Sequence, residues 1–134
     1  MEAELKNVLF RVGDRIKVQG KIHTEAKRFQ IDLGTSATDL ALHFNPRFHE
    51  NDTNTAVLVF NSLSDGIWNK EQRDTPNPFQ PGSTFKVVVK HTGGLFEVML
   101  PDGQMITFEN REDLEVITYI RIKGDISLTS LKIK

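Results

Sequence analysis

Three polar side chains occupy alternate positions in the segment 42–48, which reads LHFNPRF. Because successive side chains of an extended strand point to opposite faces, His43, Asn45 and Arg47 share one face of this segment. The apolar side chains fall on the other face: Leu42, Phe44 and Phe48. An imidazole, a carboxamide and a guanidinium at spacings of about 7 Å suit a ligand that is rich in hydroxyl groups. The alternative is that the polar row is simply the solvated face of a half-buried strand.

Two further positions carry groups that suit the same kind of ligand. Asn61 follows the apolar run 57–60 (VLVF) and ends that predicted strand, where a buried amide needs hydrogen-bond partners. Its side chain would either contact a ligand or cap the turn that follows. The single tryptophan, Trp68, is either a core residue or an exposed plane against which the apolar side of a sugar can pack.

A charged trio is predicted beside the tryptophan. Strand parity places Glu71 and Arg73 on one face of their strand and Trp68 on the other. We therefore predict a bend or bulge near Asn69, which would bring these side chains to one side. Arg47 and Arg73 can then hold the Glu71 carboxylate between them through charge-assisted hydrogen bonds. The alternative for the trio is an ordinary surface salt-bridge network.

Taken together, these segments resemble the carbohydrate-recognition signature of the galectins. The shared pattern consists of HFNPRF at 43–48, VFNS at 59–62, Trp68 and EQR at 71–73, with a similar flank PFQPG at 78–82. The resemblance spans essentially the whole chain and implies a jelly-roll sandwich of two antiparallel sheets. It further implies a lectin that binds β-galactosides without chemical turnover, with no cofactor, no metal site and no catalytic residue.

The resemblance also implies a role for each residue of the site. The three polar residues of 43–47 would hydrogen-bond the axial 4-hydroxyl of galactose, and Asn61 and Glu71 would hold its 6-hydroxyl. Trp68 would stack on the apolar face of the ring, while the two arginines and the glutamate would reach the second sugar. The carbohydrate-binding residues implied in this way are His43, Asn45, Arg47, Asn61, Trp68, Glu71 and Arg73.

The segment 49–55 (HENDTNT) separates the two polar strands. His49 and Asp52 are candidates for an extended subsite that contacts the second or a third sugar, and the alternative is a solvated loop. Asn51 begins an N-glycosylation pattern (NDT), which matters only in a chain that enters the secretory lumen. We expect this asparagine to be unmodified.

A homodimer paired through the terminal strands is also implied by the resemblance, with two sites that would cross-link glycans. The tail 126–134 alternates apolar and polar residues, as an edge strand does, and an unpaired edge invites a partner strand. Lys132 and Lys134 could instead block that edge. The acidic start MEAELK shows no secretory signal, and galectins leave cells without one, so we expect both cytoplasmic and extracellular residence.

The elements that must position these residues are strands. Period-two alternation and β-branched runs recur along the chain, whereas helical periodicity is not sustained in any long window. We therefore predict an all-β fold, an antiparallel sandwich of about eleven short strands joined by Gly- and Pro-containing turns. The segment 111–115 alone is compatible with a helical turn. The predicted strands are 5–11, 15–23, 28–33, 39–44, 55–61, 67–73, 84–91, 95–100, 104–108, 117–122 and 126–133.

Length and composition set the outer bounds. The 134 residues, with 38% hydrophobic and 26% charged side chains, fit one globular domain that spans 1–134. A formal net charge of -1 argues against broad nucleic-acid binding, and the lack of a long apolar run argues against membrane insertion. With 0 cysteines, disulfides and thiolate chemistry are excluded. The 4 histidines, at positions 23, 43, 49 and 91, lack the spacing of metal ligands.

Three other functions are alternatives to the hypothesis of a lectin. Glu71 together with Asp52 or Asp65 could form the carboxylate pair of a glycosidase, but two flanking arginines suit Glu71 to accept hydrogen bonds rather than to act as a general acid. A galectin-like module that binds proteins and no sugar would be expected to lack signature positions, and all seven are present. A lipid carrier would place the polar row of 43–47 in an apolar cavity at a high desolvation cost.

Overall fold

The protein is built from antiparallel strands, as a computed structural model that describes residues 1–49 and 55–134 shows. The prediction of an all-β fold is confirmed, with twelve strands in the described residues in place of about eleven. The strands are β1 (Glu2–Arg11), β2 (Arg15–Ile22), β3 (Phe29–Ser36), β4 (Asp39–Arg47), β5 (Val57–Ser64), β6 (Ile67–Trp68), β7 (Gln72–Asp74), β8 (Thr84–His91), β9 (Leu95–Met99), β10 (Met105–Glu109), β11 (Val116–Gly124) and β12 (Ile126–Ile133).

The extra strand arises because the predicted strand 67–73 is divided in two. Strand β6 pairs with β5 at residues 63 and 64, whereas β7 pairs with the same edge of β5 at residues 58–60. Between them the Asn69 N–H donates to the Ser62 carbonyl over 3.0 Å, and the Asn69 side-chain amide donates to the hydroxyls of Ser62 and Ser64. The chain therefore bends at 69–71, which confirms the predicted bend near Asn69.

The prediction of a helical turn at 111–115 is wrong. Residues 111 and 112 form a hydrogen-bonded turn, in which the Asp113 N–H donates to the Asn110 carbonyl over 3.1 Å. Asp113 has a φ of 50°, a left-handed conformation that stops a right-handed helical turn from continuing. This turn places Arg111 beside the end of β5.

The strands form two sheets that pack face to face. In the described part of the chain, the larger sheet has seven strands in the order β1-β11-β3-β4-β5-β6, with β7 also paired to β5. The smaller sheet has five in the order β10-β9-β8-β2-β12. Apolar side chains from the inner faces form one large core cluster, in which Phe44 and Phe60 lie with ring centroids 5.0 Å apart. The apolar face of 42–48 lies in this core, as its parity predicted, so the polar face of β4 points outward.

The register of the larger sheet aligns one row of polar residues across four strands. Arg121 of β11 is paired with Asp32 of β3, Asp32 with His43 of β4, and His43 with Asn61 of β5. Directly opposed residues share a face, so all four side chains lie on the outer surface of the sheet. No helix in the described part of the chain is long and apolar enough to cross a membrane.

Candidate functional site

A cavity of about 480 Å³ opens on the outer face of the larger sheet. Six of the seven predicted sugar-binding residues line it, together with three residues that sequence reasoning did not select. Arg73 does not line the cavity but touches Glu71, which does. The lining residues are Arg28, Gln30, His43, Asn45, Arg47, Asn61, Trp68, Asn69 and Glu71.

His43 is held by a buried carboxylate. Its Nδ1 lies 2.7 Å from Oδ1 of Asp32, which is 0% exposed, and the same carboxylate accepts bonds from Gln30 Nε2 over 2.7 Å and Arg121 Nε over 2.9 Å. An ionised carboxylate only accepts hydrogen bonds, so Nδ1 of His43 carries the proton in this network. In the neutral tautomer that has its proton on Nδ1, Nε2 keeps a lone pair that can accept a hydrogen bond from a ligand hydroxyl.

The pKa of Arg121 is affected by its contact with the same carboxylate, Asp32. Burial alone would lower the pKa of its guanidinium, but the hydrogen bond and the charge of Asp32 outweigh burial, and the pKa is raised. Arg121 therefore stays charged and compensates Asp32, which would otherwise be a costly unpaired charge in the sheet.

Asn45 and Arg47 are oriented by each other and by the backbone. Asn45 Nδ2 donates to the Phe29 carbonyl over 2.7 Å, and its Oδ1 accepts from Arg47 Nε over 3.0 Å. These bonds fix which way the carboxamide points and leave the second Nδ2 hydrogen as the group that can face a ligand. The predicted row of His43, Asn45 and Arg47 thus lines the cavity with preset donors and acceptors.

The charged trio forms as predicted. Arg73 Nε lies 2.9 Å from Glu71 Oε1, and Arg47 lies 3.8 Å from Glu71 Oε2 through Nη2. The side chain of Glu71 is 39% exposed and that of Arg73 43% exposed. These contacts hold the carboxylate at the rim of the cavity, where it can accept hydrogen bonds from a ligand.

Asn61 bonds across the bend between β6 and β7. Its Nδ2 donates to the Asn69 carbonyl over 3.1 Å, and its Oδ1 accepts from the Ser62 N–H over 2.8 Å and from Arg111 over 3.3 Å. The expectation that Asn61 ends its strand is wrong, because β5 continues to Ser64. The side chain nevertheless lines the cavity while it is only 4% exposed.

Trp68 takes the rim position rather than a place in the core. It is 49% exposed, and its ring centroid lies 4.6 Å from that of His43. The indole therefore stands at the edge of the polar row and offers an aromatic plane to a bound molecule.

The candidate extended subsite is described only at His49. His49 is exposed and does not line the cavity, and Asp52 lies outside the described residues. No group of three or more His, Cys, Asp or Glu residues in 1–49 and 55–134 is arranged to hold a metal ion.

Sequence reasoning did not select several residues of the site, and for three of them the sequence does carry a signal. The segment 28–33 (RFQIDL) alternates polar and apolar residues just as 42–48 does, which places Arg28, Gln30 and Asp32 on one face. Arg111 had no such signal. It donates to the Lys70 carbonyl over 2.7 Å from a turn that is distant in sequence, and its guanidinium lies 4.6 Å from the centre of the Phe108 ring.

A two-sheet jelly roll with an open polar cavity and an aromatic plane at its rim is suited to carbohydrate binding and is typical of the lectin class. The comparisons with known proteins agree with this assignment. The family model described as galactoside-binding lectin matches residues 1–133, so the chain belongs to this family, the galectins. The protein is accordingly a β-galactoside-binding lectin.

Its relatives cover nearly the full chain. Galectin-1 of goat (Capra hircus) is 40% identical over 91% of this chain and 90% of its own length, and human galectin-2 is 38% identical over 99% and 97%. Among solved structures, chicken galectin 2 superposes with a TM-score of 0.92 at 42% identity, over 98% of this chain and 97% of its own. The homodimeric agglutinin CG-16 from chicken liver gives a TM-score of 0.93 at 31% identity, with 100% of both chains covered.

Proposed function

We propose that the outer cavity binds the terminal galactose of a β-galactoside and the sugar that follows it. The residues that we assign to this task are His43, Asn45, Arg47, Asn61, Trp68, Glu71 and Arg73. The observation that carries the proposal is the pairing of a preset polar row with an aromatic plane, seen in the 4.6 Å separation of the His43 and Trp68 rings. A galactose has an apolar face and polar hydroxyls on its other side, so it can satisfy both surfaces at once.

The polar row also accounts for selectivity between sugars. The axial 4-hydroxyl would bond Nε2 of His43, the free Nδ2 hydrogen of Asn45 and the Arg47 guanidinium. A sugar whose 4-hydroxyl is equatorial would not form these bonds, at a cost of about 1–3 kcal/mol for each lost bond. The 6-hydroxyl is assigned to Asn61 and Glu71, and the second sugar to the charged trio at the rim.

Titration with two disaccharides tests the proposal. Lactose and cellobiose differ only in the configuration of the non-reducing C4, so cellobiose is a matched control for the axial hydroxyl. We expect saturable lactose binding, reported by the fluorescence of the single tryptophan and by calorimetry, and at least about a 100-fold weaker response to cellobiose. Equal binding of both sugars, or no lactose binding by folded protein, would overturn the assignment of the site.

The protein is also proposed to act as a homodimer through its terminal strands. Strand β1 forms one edge of the larger sheet and β12 one edge of the smaller, so both sheets can continue into a second copy. The solved relative CG-16 is described as homodimeric. Sedimentation equilibrium should show twice the monomer mass, and agglutination of lactosyl-coated beads should be abolished by free lactose.

We further propose that the chain is a single carbohydrate-recognition domain, spanning 1–134, that resides in the cytosol and outside the cell. We also propose that it binds sugars without catalysis. Among the described residues, Glu71 is the one carboxylate that lines the cavity, and Asp65 lies in the turn after β5, where its N–H donates to Asp39. A glycosidase needs two carboxylates about 5–10 Å apart. A chromogenic β-galactoside should remain uncleaved, and turnover that Glu71→Gln abolishes would contradict this proposal.

A further inference from the structure

The outer face of the smaller sheet carries a dense group of cations that the galactoside site does not use. Strands β2 and β8 alternate buried apolar residues with outward polar or basic ones, as in RIKV at 15–18 and TFKV at 84–87. On β12, Lys132 is exposed between two partly buried apolar residues. Seven basic side chains of these strands and their ends point away from the core, and Lys21 lies one row beyond the other six. Those six define what we call the cationic face: Arg15, Lys17, Lys86, Lys90, Lys132 and Lys134.

The sheet register sets these cations in rows. Arg15 is paired with Lys90 on one side and shares two backbone hydrogen bonds with Lys134 on the other. In the next row Lys17 is paired with Lys132, and one row further Lys86 lies opposite Gln19. Neighbouring strands are about 4.8 Å apart and alternate residues about 6.8 Å apart, so the six charges occupy an area of roughly 10 by 14 Å.

Acidic residues do not neutralise this group. Glu97 of β9 is paired with Lys90 in the register, yet no ion pair within 4.0 Å joins any of the six cations to a carboxylate in 1–49 and 55–134. Like charges directly opposite each other on adjacent strands destabilise a sheet. The chain as a whole carries a net charge of -1, so the excess on this face is local and is balanced elsewhere.

A groove of about 680 Å³ continues from the cationic face along the same surface. Its lining combines Lys86 with the polar side chains of Gln19, Thr84 and Thr129, and it also includes apolar residues: Phe85, Val88, Met99, Leu100 and Pro101. Hydroxyl, amide and ammonium groups together suit a ligand that carries both hydroxyls and anionic groups.

We propose that the cationic face and this groove bind a linear sulfated polysaccharide, at a site separate from the galactoside cavity. Sulfate groups that recur along a sugar chain can meet successive rows of lysines, and the chain's hydroxyls can bond the groove. A sulfated polysaccharide fits better than a nucleic acid because the outward positions of β2, β8 and β12 carry no aromatic side chain, and single-stranded nucleic acids bind largely by stacking on aromatic rings.

The two sites lie on the outer faces of opposite sheets, so one molecule can hold both ligands. A galactoside would occupy the face built by β4 and β5, and the polysaccharide the face built by β2, β8 and β12. The proposal does not depend on sugar binding at the first site, which the lactose titration tests on its own.

The test measures binding of a fluorescent heparin octasaccharide by anisotropy, with the galactoside cavity saturated by lactose. We expect saturable binding that weakens at least about 10-fold between 50 and 200 mM salt, since ion contacts are screened and counterions released. The double variant Lys17→Ser/Lys132→Ser should lose at least about 10-fold in affinity. The matched control Lys27→Ser/Lys123→Ser removes the same charge from outside the cationic face and should lose less than about 2-fold.

Several results would overturn the proposal. Equal losses in both double variants would mean that net charge alone attracts the polyanion, and a larger loss in the control would move binding to the other sheet. Competition by lactose would place the octasaccharide in the galactoside cavity. Binding of fully desulfated heparin, or stronger binding of poly(U) or of phosphatidylserine vesicles than of heparin, would assign the face to a different partner. Lactose affinity and melting temperature, measured on every variant, separate these outcomes from misfolding or from failure of the first site.

Discussion

The two halves of the cavity that we propose for galactosides use similar polar groups but are built differently. On β4 and β5, three of the four side chains that line the cavity are almost fully buried, with His43 at 6%, Asn45 at 0% and Asn61 at 4% exposure. On β6 and the bend that follows it, Trp68 is 49% exposed and the Glu71 side chain 39% exposed. The first half is part of the hydrogen-bonded interior of the sheet, whereas the second is an edge added to it. Changes in the first half should therefore affect both folding and binding, and changes in the second should affect binding alone.

Removal of the carboxylate behind the buried half should have the largest effect. Asp32→Ala leaves Arg121 without its partner and His43 without its anchor, which should destabilise the fold by about 3 kcal/mol and reduce lactose affinity more than 10-fold. Urea unfolding and lactose titration measure the two losses. The double variant Asp32→Ala/Arg121→Ala should be less destabilised than the sum of the two single variants, and full additivity would show that the pair is not coupled.

At Asn45 we expect a smaller effect, which again combines a loss of stability with a loss of lactose binding. Asn45→Ala leaves the Phe29 carbonyl and Arg47 without their bonds, so we expect a loss of about 1–3 kcal/mol in unfolding free energy together with loss of lactose binding. Chemical denaturation and calorimetry on the same sample give both quantities. Thr129→Ala, at an exposed position of β12, is the control and should change neither. Unchanged stability of Asn45→Ala would break the contrast between the two halves.

The rim should lose affinity without losing stability. In Trp68→Ala the aromatic plane is removed, and lactose affinity should fall at least about 10-fold, equivalent to about 1.4 kcal/mol. Because half of this side chain is exposed, the unfolding free energy should change by no more than about 0.5 kcal/mol. A large destabilisation would mean that the indole belongs to the folded core and not to an added edge.

In Glu71→Gln we expect a smaller loss of lactose affinity, again without a loss of stability. The amide keeps the shape of the side chain but loses the charge that Arg73 contacts at 2.9 Å, so we expect lactose affinity to fall roughly 3–10-fold. Stability should be nearly unchanged, since exposed ion pairs contribute little. Binding equal to that of the unaltered protein would remove Glu71 from the site.

The smallest effect lies at the far end of the larger sheet and concerns the titration of Tyr119. Burial and a hydrogen bond to the Glu4 carboxylate raise the pKa of this phenol from 10.0 to about 12. A raised pKa means that the folded state holds the proton more tightly, so the associated stability is complete below pH 10 and is lost as the pH rises from 10 towards 12. Since the chain has one tyrosine, its phenolate absorbance reports this group alone. Glu4→Gln should shift the titration to lower pH while lactose binding stays constant, and a shift to higher pH would contradict the assignment.

The alternation of polar and apolar residues along single segments made much of the site predictable. The parity of 42–48 placed three polar side chains on one face and their apolar neighbours in the core, and the structure confirms both. The conflict in parity between Trp68 and Glu71 predicted the bend near Asn69. The same reasoning failed at the segment 111–115, because a left-handed residue and contacts with a distant strand decide its conformation.

The sequence by itself determined which segments are strands and which face of each is apolar, since that information lies in residues two positions apart. Only the tertiary structure decided which strands are neighbours and in what register. Arg121 and Asp32 are 89 positions apart, yet they meet because the pairing of β11 with β3 follows from burying both apolar faces in one core. The cationic face also depends on strand pairing in the tertiary structure, because its six charges come from three segments that are distant in sequence. A slip of one residue in any of these strands would turn its apolar face to water, and this cost fixes the rows in which both groups of side chains lie.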